Sequence, residues 1–149
     1  MKNIKLCLQY DGTPYHGFQI QPDVITVQGI LEEKIKNLTG EDVRVYGCSR
    51  TDAGVHAYRY VASFSLETPI PPEKVALVLN NALPPDIRIL SSEEMPEDFH
   101  ARFSCLAKTY RYVINTNPNA DVFTRNYEWQ LGKSLDMNAM KMASTHIIG

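Results

Sequence analysis

The chain has 149 residues, of which 44% are hydrophobic and 21% charged, and its net charge is −2. These values are typical of a globular domain and exclude a disordered tail or a fibrous repeat. No apolar stretch approaches the roughly 20 residues that cross a bilayer, and the alternating first residues do not resemble a signal peptide. The three cysteines have no paired spacing, which argues against a disulfide framework or a zinc site and favours a reducing cytoplasm.

Positive charge is unevenly distributed along the chain. Residues 43–66 and 99–120 contain a single acid, Asp52. Their basic residues are Arg44, Arg50, Arg59, Arg102, Lys108 and Arg111. Such an asymmetry predicts a local electropositive surface on an otherwise acidic protein. The pattern alone leaves open the alternative that these are ordinary solvated charges scattered over the fold.

Periodicity predicts four strands and two helices in the first 95 residues. The alternation or the content of branched and aromatic residues predicts strands at residues 4–10, 43–48, 58–66 and 87–90. Between the first two, apolar residues recur at helical spacing, with Thr26 as the N-cap and Gly40 as the stop. A second helix opens at Pro71-Pro72-Glu73 and ends before Pro84-Pro85.

The order β-α-β-β-α-β predicts an α+β fold, a ferredoxin-like sandwich of an antiparallel sheet and two helices, which we assign to residues 1–98. Residues 99–149 then begin a second α+β domain, with strands at 108–114 and 127–131. A helix follows at 136–148, whose methionines we expect to pack in a core. One strand pair and one helix cannot close a core alone, so we expect the chain to be the N-terminal portion of a longer protein.

The segment richest in chemistry runs from Gly47 to Ala57, between two predicted strands. It is longer than a tight hairpin needs and contains Arg50, Asp52 and His56. Loops held on a rigid sheet often carry functional residues. As a plain turn, the loop would instead use Asp52 and Thr51 to bond the local backbone and leave Arg50 solvated. Composition alone does not decide between these interpretations.

The residues Arg50-Thr51-Asp52-Ala53-Gly54-Val55-His56-Ala57 resemble the signature loop of the tRNA pseudouridine synthases that act on the anticodon stem-loop, the TruA family. Other segments resemble this family in the same order along the chain. They are Tyr10-Asp11-Gly12-Thr13, Gly17-Phe18-Gln19-Ile20-Gln21, Thr26-Val27-Gln28, His100-Ala101-Arg102-Phe103-Ser104, Tyr110-Arg111-Tyr112 and residues 136–149. Phe18 stands where the family often has Trp, and Cys105 where a small residue is usual.

The resemblance implies that the protein isomerises uridine to pseudouridine in tRNA, at positions 38 to 40, with Asp52 as the nucleophile. Tyr110 would line the pocket of the base, as a stacking platform or as a general base. Arg50 and Arg102 would contact the RNA, and His56 would hydrogen-bond the loop.

The same resemblance implies no metal and no organic cofactor, no membrane, and a homodimer for the full-length protein. The family's second domain continues further and supplies an arginine that pairs with the catalytic aspartate. We therefore expect residues 1–149 by themselves to be inactive.

Two other protein classes deserve comparison with this assignment. Tyr10-Asp11-Gly12-Thr13 also matches half of the DxDGT motif of haloacid-dehalogenase-type phosphatases, but the nucleophilic position of that motif is occupied by Gln9. A non-catalytic RNA-binding module of the RRM type is the other alternative, because residues 59–64 resemble a base-stacking strand. In that case Tyr60 would carry RNA binding and Asp52 would have no role.

Overall fold

A four-stranded antiparallel sheet forms the centre of the first of two units, Met1–Ala107 and a second that begins at Lys108. The computed structural model describes residues 1–148, so Gly149, the last residue of the predicted second domain, lies outside it. The division of the whole protein into domains at residue 98 stays a prediction.

The sheet contains β1 (Lys2–Tyr10), β2 (Tyr46–Gly47), β3 (Ala57–Leu66) and β4 (Ile87–Met95) in the order β2-β3-β1-β4. Every neighbouring pair is antiparallel. Successive side chains of a strand point to opposite faces, and one face of this sheet is apolar. Its buried members in β1 and β3 are Ile4, Leu6, Leu8, Tyr10, Tyr60, Ala62, Phe64 and Leu66.

Two helices contribute to the same core as that apolar face. Helix α1 (Val27–Thr39) begins where the Thr26 hydroxyl accepts the Gly29 N–H, and it ends at Gly40, whose N–H donates to the Lys36 carbonyl. Both predicted caps are therefore confirmed. Helix α2 (Val75–Asn80) follows a short 3-10 turn at Pro72–Lys74.

Two predicted strands have different lengths in the structure. The predicted strand at 43–48 is reduced to Tyr46–Gly47, because the Val45 N–H donates to the Glu32 carboxylate of α1 at 2.9 Å and not to a neighbouring strand. Strand β4 continues five residues beyond the predicted end at Leu90, since a bulge between Cys7 and Leu8 of β1 shifts the register there.

The second unit contains a parallel pair, β5 (Ile114–Asn115) with β6 (Trp129–Gln130), and helix α3 (Met137–Ser144). The strand predicted at 108–114 is wrong for residues 108–113, which have no strand conformation, although the Val113 carbonyl accepts the Trp129 N–H of β6 at 2.7 Å. The expected burial of the α3 methionines is not met within residues 1–148, where no residue of this helix is buried. So small a unit cannot enclose the helix. No helix within residues 1–148 is long and apolar enough to span a bilayer.

Candidate active site

The loop at residues 48–56 connects β2 to β3 and reaches the sheet beside the last residue of β1. Ala57, where β3 begins, pairs with Tyr10, where β1 ends. The segment that follows β1 therefore starts next to the residue at which the loop finishes. This pairing places the Asp11-Gly12 turn and the loop at the same end of the sheet, where contacts between them fix the loop.

Two glycines allow the loop backbone to lie directly against the segment after β1. A Cβ atom at Gly12 would collide with the carbonyl oxygen of Val55, and one at Gly17 would collide with the carbonyl oxygen of Thr51. Gly17 also has a φ of 80°, in the region that favours glycine. The loop backbone is thus packed against these glycines at Thr51 and at Val55, before and after Asp52 along the chain.

Hydrogen bonds anchor the loop at the same two sides. The Tyr10 hydroxyl lies 3.0 Å from the Thr51 hydroxyl, immediately before Asp52. The Gly54 N–H donates to the Tyr15 carbonyl at 3.0 Å, immediately after the Asp52-Ala53 pair. Within the loop, the Val55 N–H donates to the Asp52 carbonyl at 3.2 Å, which closes a turn. The main chain around Asp52 is therefore held by contacts outside the loop and by one within it.

His56 links the end of the loop to the turn after β1. Its Nδ1 atom lies 3.0 Å from the Gly12 nitrogen and 3.1 Å from Oδ1 of Asp11. The same Asp11 oxygen accepts the N–H and the hydroxyl proton of Thr13. The sequence predicted hydrogen bonds from His56 to the loop itself, whereas these contacts go to the turn after β1.

Three buried rings support the first part of the loop. Phe18 and Tyr60 are stacked with their centroids 4.3 Å apart, and Tyr10 meets Tyr60 edge-on at 5.7 Å. The Tyr60 hydroxyl donates to the Ser49 carbonyl and accepts the Ser49 N–H at 3.3 Å. Burial raises the pKa of Tyr10 to about 12 and raises that of Tyr60 as well. Both phenols are therefore neutral supports at physiological pH.

The carboxylate of Asp52 is exposed on this fixed backbone. Within residues 1–148 it has no hydrogen-bond or ion-pair partner, and neither has the exposed guanidinium of Arg50 in the same loop. The plain-turn interpretation required the Asp52 side chain to bond the local backbone, and it does not. A carboxylate presented in this way is available to a ligand.

The other two predicted site residues lie elsewhere in the chain. Arg102 is exposed next to Ala101, whose N–H donates to the Ser63 hydroxyl of β3 at 3.0 Å, and its guanidinium lies 5.7 Å from the centre of the Phe103 ring. Tyr110 belongs to the second unit and is 68% exposed. The structure thus brings Arg50 and Asp52 into one loop and places Arg102 beside the sheet of the same unit.

Sequence analysis missed the residues that support the loop. The sequence predicted Tyr10 only as a strand residue within a family-like segment and gave Tyr15 no role, yet Tyr10 bonds Thr51, and Tyr15 donates its hydroxyl proton to Asp86 at 2.6 Å. The position of Tyr10 on the apolar face of β1 predicts its burial but does not indicate its partner.

No group of three or more His, Cys, Asp or Glu residues that could hold a metal occurs in the part of the chain described.

Comparison with known proteins agrees with the loop resemblance. A sequence model of the tRNA pseudouridine synthase family matches residues 6–104. Proteins named tRNA pseudouridine synthase A are similar over all 149 residues, with 50% identity in Clostridium acetobutylicum, 47% in Brevibacillus brevis and 46% in Ruminiclostridium cellulolyticum. The chain spans 61% of the length of each of these relatives. Because the family match covers most of this chain, the chain belongs to the tRNA pseudouridine synthase family.

Proposed function

We propose that the protein isomerises uridine to pseudouridine in tRNA, with Asp52 as the nucleophile. The observation that carries the proposal is the exposed Asp52 carboxylate, without a partner in residues 1–148, on a loop whose backbone is fixed on both sides. The names of the relatives specify tRNA as their substrate. The loop resemblance extends the proposal to positions 38 to 40 of the anticodon arm.

The isomerisation exchanges one bond to the sugar for another. An ionised carboxylate attacks an electrophilic carbon, either C1′ of the ribose or C6 of the base, and both routes remain compatible with one aspartate. In the C1′ route the N1–C1′ bond breaks and its electron pair leaves on N1 of uracil. The base turns, C5 attacks C1′ and displaces the Asp52 oxygen, C5 loses its proton and N1 gains one. Atoms and charge balance without an external reactant.

One carboxylate suffices for this reaction, whereas retaining glycosidases use two. The second carboxyl of a glycosidase protonates a poor leaving group. Uracil instead departs as a stabilised anion and stays in the site, so it needs no equivalent acid. The loop at residues 48–56 contains Asp52 as its single acidic residue, which is the number that this chemistry requires.

The remaining roles follow from the need to expose the target base. A stacked nucleotide must be flipped out at a cost of a few kcal/mol, which contacts between phosphates and cations offset. We assign Arg50 to the extruded nucleotide and its phosphates, and Arg102 to the RNA beside the sheet. Tyr110 stacks on the base or takes its C5 proton. The exposure of these three side chains supports the assignment.

We also propose that the first unit has a ferredoxin-like fold. The β-α-β-β-α-β order and the strand order β2-β3-β1-β4, in which β1 and β3 are central, support this class. The domain limits 1–98 and 99–149 and a homodimer rest on the sequence and the family resemblance. A cytoplasmic location is supported by the free cysteines Cys7, Cys48 and Cys105.

The RRM-like alternative is less well supported. It requires Tyr60 to stack on an RNA base from an exposed strand face. Tyr60 is 4% exposed, and its ring is stacked on Phe18 within the core. A base cannot reach this ring without unfolding the sheet, so Tyr60 does not serve as a platform.

The direct test measures tritium release from C5-labelled uridine in an anticodon stem-loop tRNA by the intact protein. We expect Asp52→Asn and Asp52→Ala to lower the rate by at least about 1,000-fold, because each removes the nucleophile. Binding of tRNA should persist, since no contact within residues 1–148 depends on this carboxylate. Asp42→Asn is the matched control, because Asp42 is an exposed acid paired with Lys36.

Two results would contradict the proposal. If the unmodified protein binds tRNA but releases no tritium, the protein is an RNA-binding module and not a synthase. If Asp52→Asn retains the full rate, another group is the nucleophile. Equal losses in Asp42→Asn and Asp52→Asn would likewise remove the special role of the loop.

A further inference from the structure

His56 is the last side chain of the loop, and it contacts the turn after β1 through one atom. The side chain is 26% exposed, and its Nδ1 atom lies within hydrogen-bond distance of both the Gly12 nitrogen and Oδ1 of Asp11. Forty-four residues separate Gly12 from His56 along the chain. The imidazole therefore connects two distant segments that meet at the candidate active site.

The two contacts require opposite protonation of the same nitrogen. To accept the Gly12 N–H, Nδ1 must carry a lone pair, so that the imidazole is neutral with its proton on Nε2. To pair with the Asp11 carboxylate, Nδ1 must carry a proton and donate it. In either state the partner lies in the Asp11-Gly12 turn. Either contact ties the end of the loop to that turn.

The position of this tether complements the other anchors of Asp52. On the N-terminal side, the Thr51 hydroxyl lies 3.0 Å from the Tyr10 hydroxyl, at the end of β1. On the C-terminal side, the Val55 carbonyl rests against Gly12, the residue that His56 contacts. Without the imidazole, the second half of the loop would keep its backbone packing but lose its side-chain attachment to the turn.

We propose that His56 is a positioning residue for Asp52, holding the C-terminal half of the loop against the Asp11-Gly12 turn. This inference rests on the proposed function, in which Asp52 is the nucleophile. Displacement of a reacting group by about 1 Å costs up to about 100-fold in rate. Loss of the tether should therefore appear mainly in kcat, because His56 itself is not assigned to the RNA.

The test compares His56→Leu, which has no hydrogen-bonding group, with His56→Asn in the intact protein. We expect His56→Leu to lower kcat for tritium release by about 10- to 100-fold with little change in KM. Asparagine offers an acceptor for the Gly12 N–H and a donor for Asp11, so His56→Asn should restore kcat to within about fivefold of the unmodified protein. His146→Leu repeats the replacement at an exposed histidine of the second unit.

A second measurement does not depend on activity. Hydrogen exchange at the Gly12 amide, followed by NMR, should be slow in the unmodified protein and in His56→Asn and fast in His56→Leu. If the three proteins show these exchange rates but the unmodified protein releases no tritium, the proposed function is refuted and the tether is established. If His56→Leu does not fold, exchange in the unmodified protein still tests the tether, because rapid exchange of its Gly12 amide would contradict it.

Three results would overturn the inference. His56→Leu with unchanged kcat would show that Asp52 needs no such tether. His56→Asn that is no better than His56→Leu would show that the imidazole acts by another route. Rapid exchange of the Gly12 amide in the folded, unmodified protein would show that the tether is absent.

Discussion

At the scale of single residues, the loop depends on side chains that take no part in the proposed reaction. Tyr10 is 4% exposed, and its hydroxyl reaches Thr51 from the core side of the loop. Burial of a phenol with one partner favours its neutral form over the phenolate. Tyr10 is thus buried as a neutral phenol, and the cost of ionising it in the core makes the stability of the fold sensitive to alkaline pH.

This sensitivity has a definite sign. Burial raises the pKa of Tyr10 from 10.0 to about 12, so the folded protein keeps a proton that the unfolded chain loses at lower pH. The associated stability is complete below pH 10.0 and is lost as the pH rises towards about 12. Tyr10→Phe removes this titration, so its free energy of unfolding should decline less steeply between these values.

Urea unfolding of both proteins across that alkaline range checks the prediction. Burial also raises the pKa of Tyr15 and Tyr60, so the dependence on pH should be reduced and not abolished. Leu77→Ala, a change of an exposed helical side chain without a titratable group, should leave the slope unchanged. Equal slopes for the unmodified protein and Tyr10→Phe would contradict the assignment of the burial effect to Tyr10.

The candidate reacting residues were easier to propose from the sequence than the contacts that support them. Asp52 and Arg50 stand in one continuous eight-residue match, and their roles could be proposed without any structure. The tether from His56 to Gly12 and the contact between Tyr10 and Thr51 join segments 44 and 41 residues apart. Contacts of this kind depend on strand pairing, which a single sequence does not specify.

At the scale of elements, prediction succeeded where local chemistry decides the structure. Helix α1 has both of its predicted caps, and β3 was predicted to within one residue. Prediction failed where a contact with a residue distant in the sequence decides the structure. The N–H of Val45 goes to Glu32 of α1, which shortens β2, and a bulge puts polar Ser92 on the buried side of β4. Neither the Glu32 carboxylate nor the bulge changes the pattern of apolar residues along the chain, so the sequence does not reveal either one.

Two side chains attach helix α2 to β4: the Ser92 hydroxyl, which accepts the Ala76 N–H at 2.8 Å, and the amide of Asn80. Asn80 donates its amide proton to the Ile89 carbonyl and accepts the Ile89 N–H, each at 2.8 Å. Asn80→Ala leaves both backbone groups without this partner, and we expect the free energy of unfolding to fall by about 2 kcal/mol. Asn81→Ala, an exposed neighbour with no side-chain hydrogen bond within residues 1–148, should change it by less than about 0.5 kcal/mol.

Chemical denaturation of the two alanine variants gives this comparison directly. The residue type and the position along the chain are nearly the same, so a difference reports the bridge to Ile89. If both variants lose the same stability, the bridge contributes nothing beyond the helix itself, and the attachment of α2 must come from the Ala76–Ser92 hydrogen bond and its apolar contacts.

At the scale of the whole molecule, a slightly acidic protein presents cations that are not neutralised. Some lysines of β1 and α1 are paired with acids, as in Lys5 with Glu93 at 2.6 Å and Lys34 with Glu33 at 2.7 Å. Arg50, Arg59 and Arg102 have no acidic partner within residues 1–148. Net charge is therefore a poor guide to partners here, because the acids neutralise lysines and leave these arginines for an anionic ligand.

Binding of tRNA to the intact protein should reflect this distribution through its salt dependence. If Arg50 contacts a phosphate, Arg50→Gln lowers the slope of log Kd against log salt concentration by about one unit. Lys34→Gln, which breaks a surface pair with Glu33, should leave the slope unchanged. Filter binding at several salt concentrations measures both. An unchanged slope in Arg50→Gln would mean that Arg50 makes no phosphate contact.

Because Gly12 and Gly17 pack closely against the loop carbonyls, folding and the proposed reaction constrain different residues of this region. The rest of the fold contacts this loop mainly through its main-chain atoms, which do not depend on the side chains of the loop. Substitutions at the two glycines are therefore selected against in any descendant, active or not. If the proposed function holds, Arg50 and Asp52 are selected only while the reaction is needed, so a lineage released from that need would lose these two residues and keep the fold.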